Sequence, residues 1–208
     1  MYISKPKNPN GKGIILIHEF WGVIDQIKKT ADRIAREGYI VFAADLYGGK
    51  VAKSVDEARA MKDAVVDGEA LLVIRDDIVE LGREGIRPEN IAIWGFCMGG
   101  SFAYLAAIGG IKAGAYIIYY GSRISDSKEV LRNISAPVLG IFGGADKSIP
   151  RETVKRFGEA LEDLKKTNEI DIYDDAGHAF ANEDRESYNE KAAKDAWQKT
   201  IDFLNKSL

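Results

Sequence analysis

A chain of 208 residues, 46% hydrophobic and 29% charged, with 21 Gly against 5 Pro, has the length and composition of one folded globular unit, which excludes disordered and fibrous classes. Its net charge of −3, with Lys and Arg dispersed among acids, leaves no basic stripe for nucleic acid. A single cysteine excludes a disulfide scaffold, and the most apolar stretch, Phe102 to Tyr120, is broken by Gly109, Gly110, Lys112 and Gly114, so no membrane span is expected.

The opening "MYISKPKNPNGKG" lacks an apolar signal core, and a cytoplasmic protein is expected. "GIILIH" (13–18) is short, β-branched and flanked by polar residues, which predicts a buried strand. From Asp25 to Glu37, Ile27, Ala31, Ile34 and Ala35 follow helical spacing, with Gly38 placed to cap the end. "YIVFAA" (39–44) reads as a second strand. Residues 54–85 read as two helices, opened by a Ser54/Glu57 capping box.

"IAIWG" predicts a third strand, followed by a small-residue helix over 98–108. "AGAYIIYYG" and "APVLGIFGG" read as strands four and five, 151–166 as a helix and "NEIDIYD" as a sixth strand. A last helix carries Ala193, Trp197, Ile201 and Leu204 on one face. Apolar strands alternating with helices predict an α/β three-layer sandwich with a mostly parallel central sheet, one domain over 1–208 without internal repeats.

The third strand delivers Gly95-Phe96-Cys97-Met98-Gly99 to its carboxyl end, where α/β sheets collect ligands. This G-x-C-x-G spacing suits a nucleophile on a sharp strand-to-helix turn, whose flanks must be small. The helix N-terminus beyond it favours thiolate over thiol. A lone cysteine in an apolar run is more often an inert filler, so partners must decide.

On α/β sheets that carry a nucleophile at such a turn, the order along the chain is nucleophile, acid, histidine. Of the two histidines, His18 and His178, only His178 follows Cys97, in "YDDAGHAF" just beyond the sixth strand. Asp146, directly after "VLGIFGG", is the candidate acid, although Asp is also common in turns. Asp174 and Asp175 are alternatives that lie awkwardly close to His178. In this reading His178 takes the thiol proton, Asp146 orients the ring, and Cys97 attacks an ester or lactone carbonyl to give a thioester that water hydrolyses. The backbone N–H groups of Met98 and Phe20 would form the oxyanion hole.

These residues resemble the dienelactone hydrolases (carboxymethylenebutenolidases) of the α/β-hydrolase fold, through "HEFWG", "ADRIAREGYIVFAADLYGG", "GFCMGGSFAY", "GGADKSIP", "YDDAGHAFAN" and "AWQKTIDFL" in that order. The resemblance implies Cys97, Asp146 and His178 as a triad, with Glu19 as a carboxylate beside the thiol that helps to activate it. With about a dozen residues before the first buried strand, the family's N-terminal hairpin is expected to be shortened or absent, leaving a smaller sheet. Dienelactone-cleaving members carry an arginine shortly after the histidine to hold the substrate carboxylate. Here Asn182 stands there, and a neutral amide lacks a guanidinium's bidentate grip.

Arg59 could supply a second family arginine or be a solvated helix residue. Trp21, Tyr47, Phe96 and Phe180 are candidate pocket aromatics, each taken singly better suited to core or rim packing, and together pointing to a pocket for a small, partly apolar ester. The expected activity is cleavage of a small carboxylic ester or lactone with no cofactor or metal, by a monomer or weak homodimer with no nucleic-acid or membrane partner. A non-catalytic binding or sensing protein retaining the pocket is the alternative. A nucleotide loop is disfavoured, since "GFCMGG" lacks both G-x-G-x-x-G spacing and a Walker lysine.

Overall fold

The structure, a computed structural model, describes residues 2–208. Among the described residues seven strands form one sheet: β1 (Tyr2–Ser4), β2 (Gly13–Ile17), β3 (Ile40–Ala44), β4 (Ile91–Phe96), β5 (Ala115–Tyr119), β6 (Val138–Gly143) and β7 (Asn168–Tyr173). Their spatial order is β1-β3-β2-β4-β5-β6-β7, with only β1 antiparallel. β2 through β6 are buried along their whole length, as their unbroken apolar sequences require of strands covered on both faces.

The helices are α1 (Asp25–Arg36), α2 (Val55–Asp63), α3 (Asp67–Arg83), α4 (Met98–Ile108), α5 (Lys128–Leu131), α6 (Arg151–Asp163) and α7 (Glu190–Ser207). α1 buries Ile27, Ala31, Ile34 and Ala35, and Gly38, at φ +98, takes the left-handed position just beyond its end. The Ser54 hydroxyl accepts from the Glu57 N–H at 3.2 Å as a capping box requires, but the Glu57 carboxylate reaches back to the Lys53 N–H at 2.7 Å instead of to Ser54.

Two expectations change. A seventh strand is present: the Tyr2–Ser4 segment pairs antiparallel with β3 from Tyr2↔Ala43 to Ser4↔Val41. At three residues it carries no periodicity to read, and it is fixed from outside, where the Tyr2 and Ser4 hydroxyls donate to Asp32 of α1 at 2.7 and 2.6 Å. On α7 the buried face is Ala192, Ala196, Thr200, Ile201, Phe203 and Leu204, so Ala193 and Trp197 are left only partly covered.

Because the central strands are parallel, the carboxyl ends of β2, β4, β6 and β7 lie along one edge. β4 occupies the middle, so the residue that follows it is flanked by loops from both sides.

Candidate active site

Cys97 is the single residue between β4 and α4, with φ 53° and ψ −111°. Such a backbone costs a non-glycine residue about 1–3 kcal/mol and persists only where its surroundings enforce it. The Cys97 N–H donates to the Tyr119 carbonyl at 2.9 Å, and its own carbonyl accepts from the Ser101 N–H at 3.0 Å. Gly95 and Gly99 are steric requirements of the turn. A Cβ on Gly95 would lie 1.9 Å from the Gly99 carbonyl oxygen, and one on Gly99 would lie 2.3 Å from that of Ile17.

His178 sits in the loop after β7, its Nε2 3.1 Å from Cys97 Sγ and its Nδ1 2.6 Å from Asp146 Oδ2. The Asp146 loop is stapled to the His178 loop by backbone bonds from the Gly144 N–H to the Tyr173 carbonyl (2.7 Å) and from the Ala145 N–H to the Ala176 carbonyl (3.0 Å). Ser148 donates both its N–H and its hydroxyl to Asp146 Oδ1, at 2.7 and 2.6 Å. Asp174 and Asp175 are exposed, and Asp174 pairs with Arg151, so Asp146 alone of the three candidates meets the imidazole.

The charges follow from these contacts. Burial works to lower the His178 pKa, but the hydrogen bonds to Asp146 and Cys97 and their negative charge outweigh it and push the imidazole up to about 10. Burial works to raise Asp146, yet the hydrogen bonds from His178 and Ser148 hold it below the usual carboxylate value.

The loop after β2 supplies Glu19, Phe20 and Trp21. His18, fully buried, anchors it: Nδ1 contacts the Glu19 carbonyl while Nε2 accepts from the Leu46 N–H at 3.2 Å, which places the proton on Nδ1. Burial pushes His18 down to about 4 and keeps it neutral. Tyr47 joins this loop to the nucleophile turn, its hydroxyl donating to the Phe20 carbonyl at 3.1 Å with Met98 Sδ 3.4 Å away. Among the described residues, the Phe20 and Met98 N–H groups have no protein acceptor.

Glu19 is 4% exposed, and burial raises its pKa. Its Oε2 accepts from Asn182 Nδ2 at 2.8 Å. Tyr120 faces the same carboxylate closely enough to act on it, although neither Tyr120 Oη nor Glu19 Oε1 closes a hydrogen bond of ordinary geometry. Arg185, stacked over the Trp21 ring at 4.1 Å, and His178 are the cations that act on Glu19.

The remaining candidates fall elsewhere. Phe180 is fully buried between Tyr120 and Tyr173, at ring distances of 5.7 and 5.2 Å, and packs the core beneath His178. Phe96 belongs to an aromatic group with Trp94 and Tyr119, away from the thiol. Arg59 is exposed on α2, its partner Asp56 at 3.8 Å on the same helix. Asn182 spends its amide on Glu19.

Sequence reasoning missed three neighbours. Ser148 was legible as the third residue of the turn "DKS". Tyr120, at φ 38° and 5.3 Å from the His178 ring, and Arg185 carry no local signal. Among the described residues there is no cluster of three or more His, Cys, Asp or Glu able to hold a metal, and no helix long and apolar enough to cross a membrane.

Known proteins share this architecture. A Yersinia pestis protein, provisionally named a carboxymethylenebutenolidase, is 31% identical over 98% of this chain and 82% of its own length. A crystal structure from Klebsiella pneumoniae, provisionally titled a dienelactone hydrolase, superposes with a TM-score of 0.88 at 30% identity, covering 98% of this chain and 91% of that one. A dienelactone hydrolase-like promiscuous phosphotriesterase from metagenomic libraries shares the fold at a TM-score of 0.77 and 20% identity, over 98% of this chain and 88% of that one. The family model for dienelactone hydrolases matches residues 1–208, and the chain belongs to that family.

Proposed function

We propose that this member of a family of ester and lactone hydrolases cleaves a small carboxylic ester or lactone through Cys97, by way of a thioester. The observation that carries this reading is the continuous chain of contacts from Cys97 Sγ to His178 Nε2 (3.1 Å) and from His178 Nδ1 to Asp146 Oδ2 (2.6 Å). His178, pushed up to about 10 by its hydrogen bonds to Asp146 and Cys97, is the base that takes the Cys97 proton as the thiol becomes a nucleophile. The thiolate attacks the carbonyl carbon, and the oxygen that gains charge is received by the unpartnered N–H groups of Phe20 and Met98. His178 gives its proton to the departing alkoxide, then takes one from the water that attacks the thioester. The acid is released and the thiolate returns.

Glu19 stands at the edge of this site as a buried carboxylate whose charge burial disfavours. Its charge and that of His178 act on each other, which supports a role in activating the Cys97–His178 pair. Asn182 holds that carboxylate and is therefore not free to grip a substrate's own carboxylate, which supports small neutral esters and lactones as the substrate class.

Cys97→Ala is expected to abolish hydrolysis of nitrophenyl acetate while leaving the thermal unfolding transition in place. Unchanged turnover in that variant would remove Cys97 from the chemistry. Intact mass of the wild-type protein after ester addition separates catalysis from binding: turnover without accumulation supports the hydrolase, and a stalled acyl adduct supports a sensing protein.

A further inference from the structure

A cavity of about 510 Å³ lies away from the triad, between α1 and α7, and includes none of Cys97, Asp146 or His178 in its lining. Its volume is that of a small-molecule site. The inner side is aromatic: fully buried Trp94 stands 5.6 Å from Phe96, Tyr119 and Trp197 by ring centroids, and the rings open to the cavity are Trp197 and Tyr188. Trp94 and Phe96 reach this side because side chains alternate along β4, which turns Gly95 towards α4.

The wall is cationic. Arg33 of α1 lies flat over the Trp197 ring, 3.5 Å from its centroid, and forms no ion pair among the described residues. Stacking occupies the guanidinium face and leaves its N–H edge available to a planar anion. The other charges do not neutralise it. Asp32 keeps its charge, held by the Tyr2 and Ser4 hydroxyls with Arg36 acting on it, Lys194 is held by Glu190 at 2.6 Å, and Glu183 and Glu37 act on Arg33 from a distance. The lining thus sets four cations, Lys29, Arg33, Arg36 and Lys194, against Asp32 and Glu183. Lys29 and Arg36 add positive charge at the rim.

The cavity also accounts for α7, whose Ala193 and Trp197 are left partly uncovered in an otherwise core-facing register.

We infer that the α1/α7 cavity is a second, non-catalytic binding site for a small planar aromatic carboxylate, its ring against Trp197 and Tyr188 and its carboxylate on Arg33. The inference is independent of the ester-hydrolase reading, because it uses no residue of that site.

The probe is 2-naphthoate, with 2-naphthalenemethanol as its neutral counterpart, read by calorimetry and by quenching of tryptophan fluorescence. Two of the three tryptophans, Trp94 and Trp197, are in the cavity. Saturable one-to-one binding of naphthoate is expected, weakened at least tenfold by Arg33→Gln and by high salt, and not reproduced by the alcohol. Ala193→Trp, which fills the cavity, should block binding, and neither variant should change KM or kcat for nitrophenyl acetate. Thermal melts establish that both variants are folded, and the alcohol control on wild type stands if one is not. No saturation at millimolar concentrations, equal binding of acid and alcohol, or binding that is competitive with the ester and indifferent to Arg33 would overturn the inference.

Discussion

Only two histidines occur in the chain, and their surroundings drive them in opposite directions. His18 is buried and neutral, pushed down to about 4, whereas His178 is pushed up to about 10 against its own burial by hydrogen bonds to Asp146 and Cys97. The imidazole proton resonances should therefore titrate with midpoints on either side of the ordinary value near 6.5. Asp146→Asn removes the charge that holds the His178 proton, so the upper midpoint should fall towards the ordinary value while the lower one stays in place. Turnover should fall by about 10⁴-fold, because an amide also permits the wrong tautomer. Ser148→Ala is milder: its hydroxyl donates to Asp146 Oδ1 and lies 3.3 Å from His178 Nδ1, but the Asp146 charge remains in the variant, so the upper midpoint should stay well above the ordinary value. Two coincident midpoints near 6.5 in the wild type would show that the Asp146 contact does not hold in solution.

At the scale of elements, the β4–α4 turn concentrates opposed demands on neighbouring residues. Gly99 has no room for a side chain beside the Ile17 carbonyl, while Cys97 carries one in a backbone region that favours glycine. Gly99→Ala should lose about 3 kcal/mol or more in urea denaturation, since backbone lies on the obstructed side and cannot yield. Cys97→Gly should be more stable than Cys97→Ala by about 1 kcal/mol, because only the glycine relieves the strain that presents the nucleophile. Equal stability of the two would mean that the turn is not strained.

That turn was legible in the sequence because glycines at fixed offsets record a steric need. The buried strands were legible for a similar reason, as each is an unbroken apolar run. β1 was not, since three residues held at a sheet edge by hydroxyl contacts to Asp32 leave no pattern. The partly open face of α7 was missed because helical spacing gives a periodic stripe but not its rotation relative to the sheet. Turn spacing, strand-end placement and chain order together singled out Cys97, Asp146 and His178, whereas Tyr120 and Arg185 reach the site only through tertiary packing and could not be read locally.

The whole molecule should be most stable on the acid side of neutrality. Asp77 of α3 is 1% exposed, neither carboxylate oxygen has a hydrogen-bond partner, and burial, aided by the negative charges of Asp76, Glu80 and Asp45, pushes it up to about 7. An acid raised in the folded state binds its proton more tightly there than in the unfolded chain. Stability is then greatest below the unfolded value near 4 and declines as the pH rises to about 7, by about 4 kcal/mol in all. Glu19, raised by burial, adds to the decline. His178 works in a later window with the same sign: its raised pKa stabilises fully below about 6.5, and the contribution is lost as the pH passes through about 10. Asp146, held below the ordinary carboxylate value, acts in the opposite sense and costs stability only as the pH falls below that range. Thermal melts from acid to alkaline pH should therefore show a maximum near pH 4–5 and a fall in two stages. Asp77→Asn should flatten the first stage and leave the second, and His178→Gln should do the reverse. A wild-type maximum at pH 7–8, or an Asp77→Asn curve that runs parallel to the wild type, would mean that Asp77 finds a partner or water in solution and that its burial does not govern the acid-side stability.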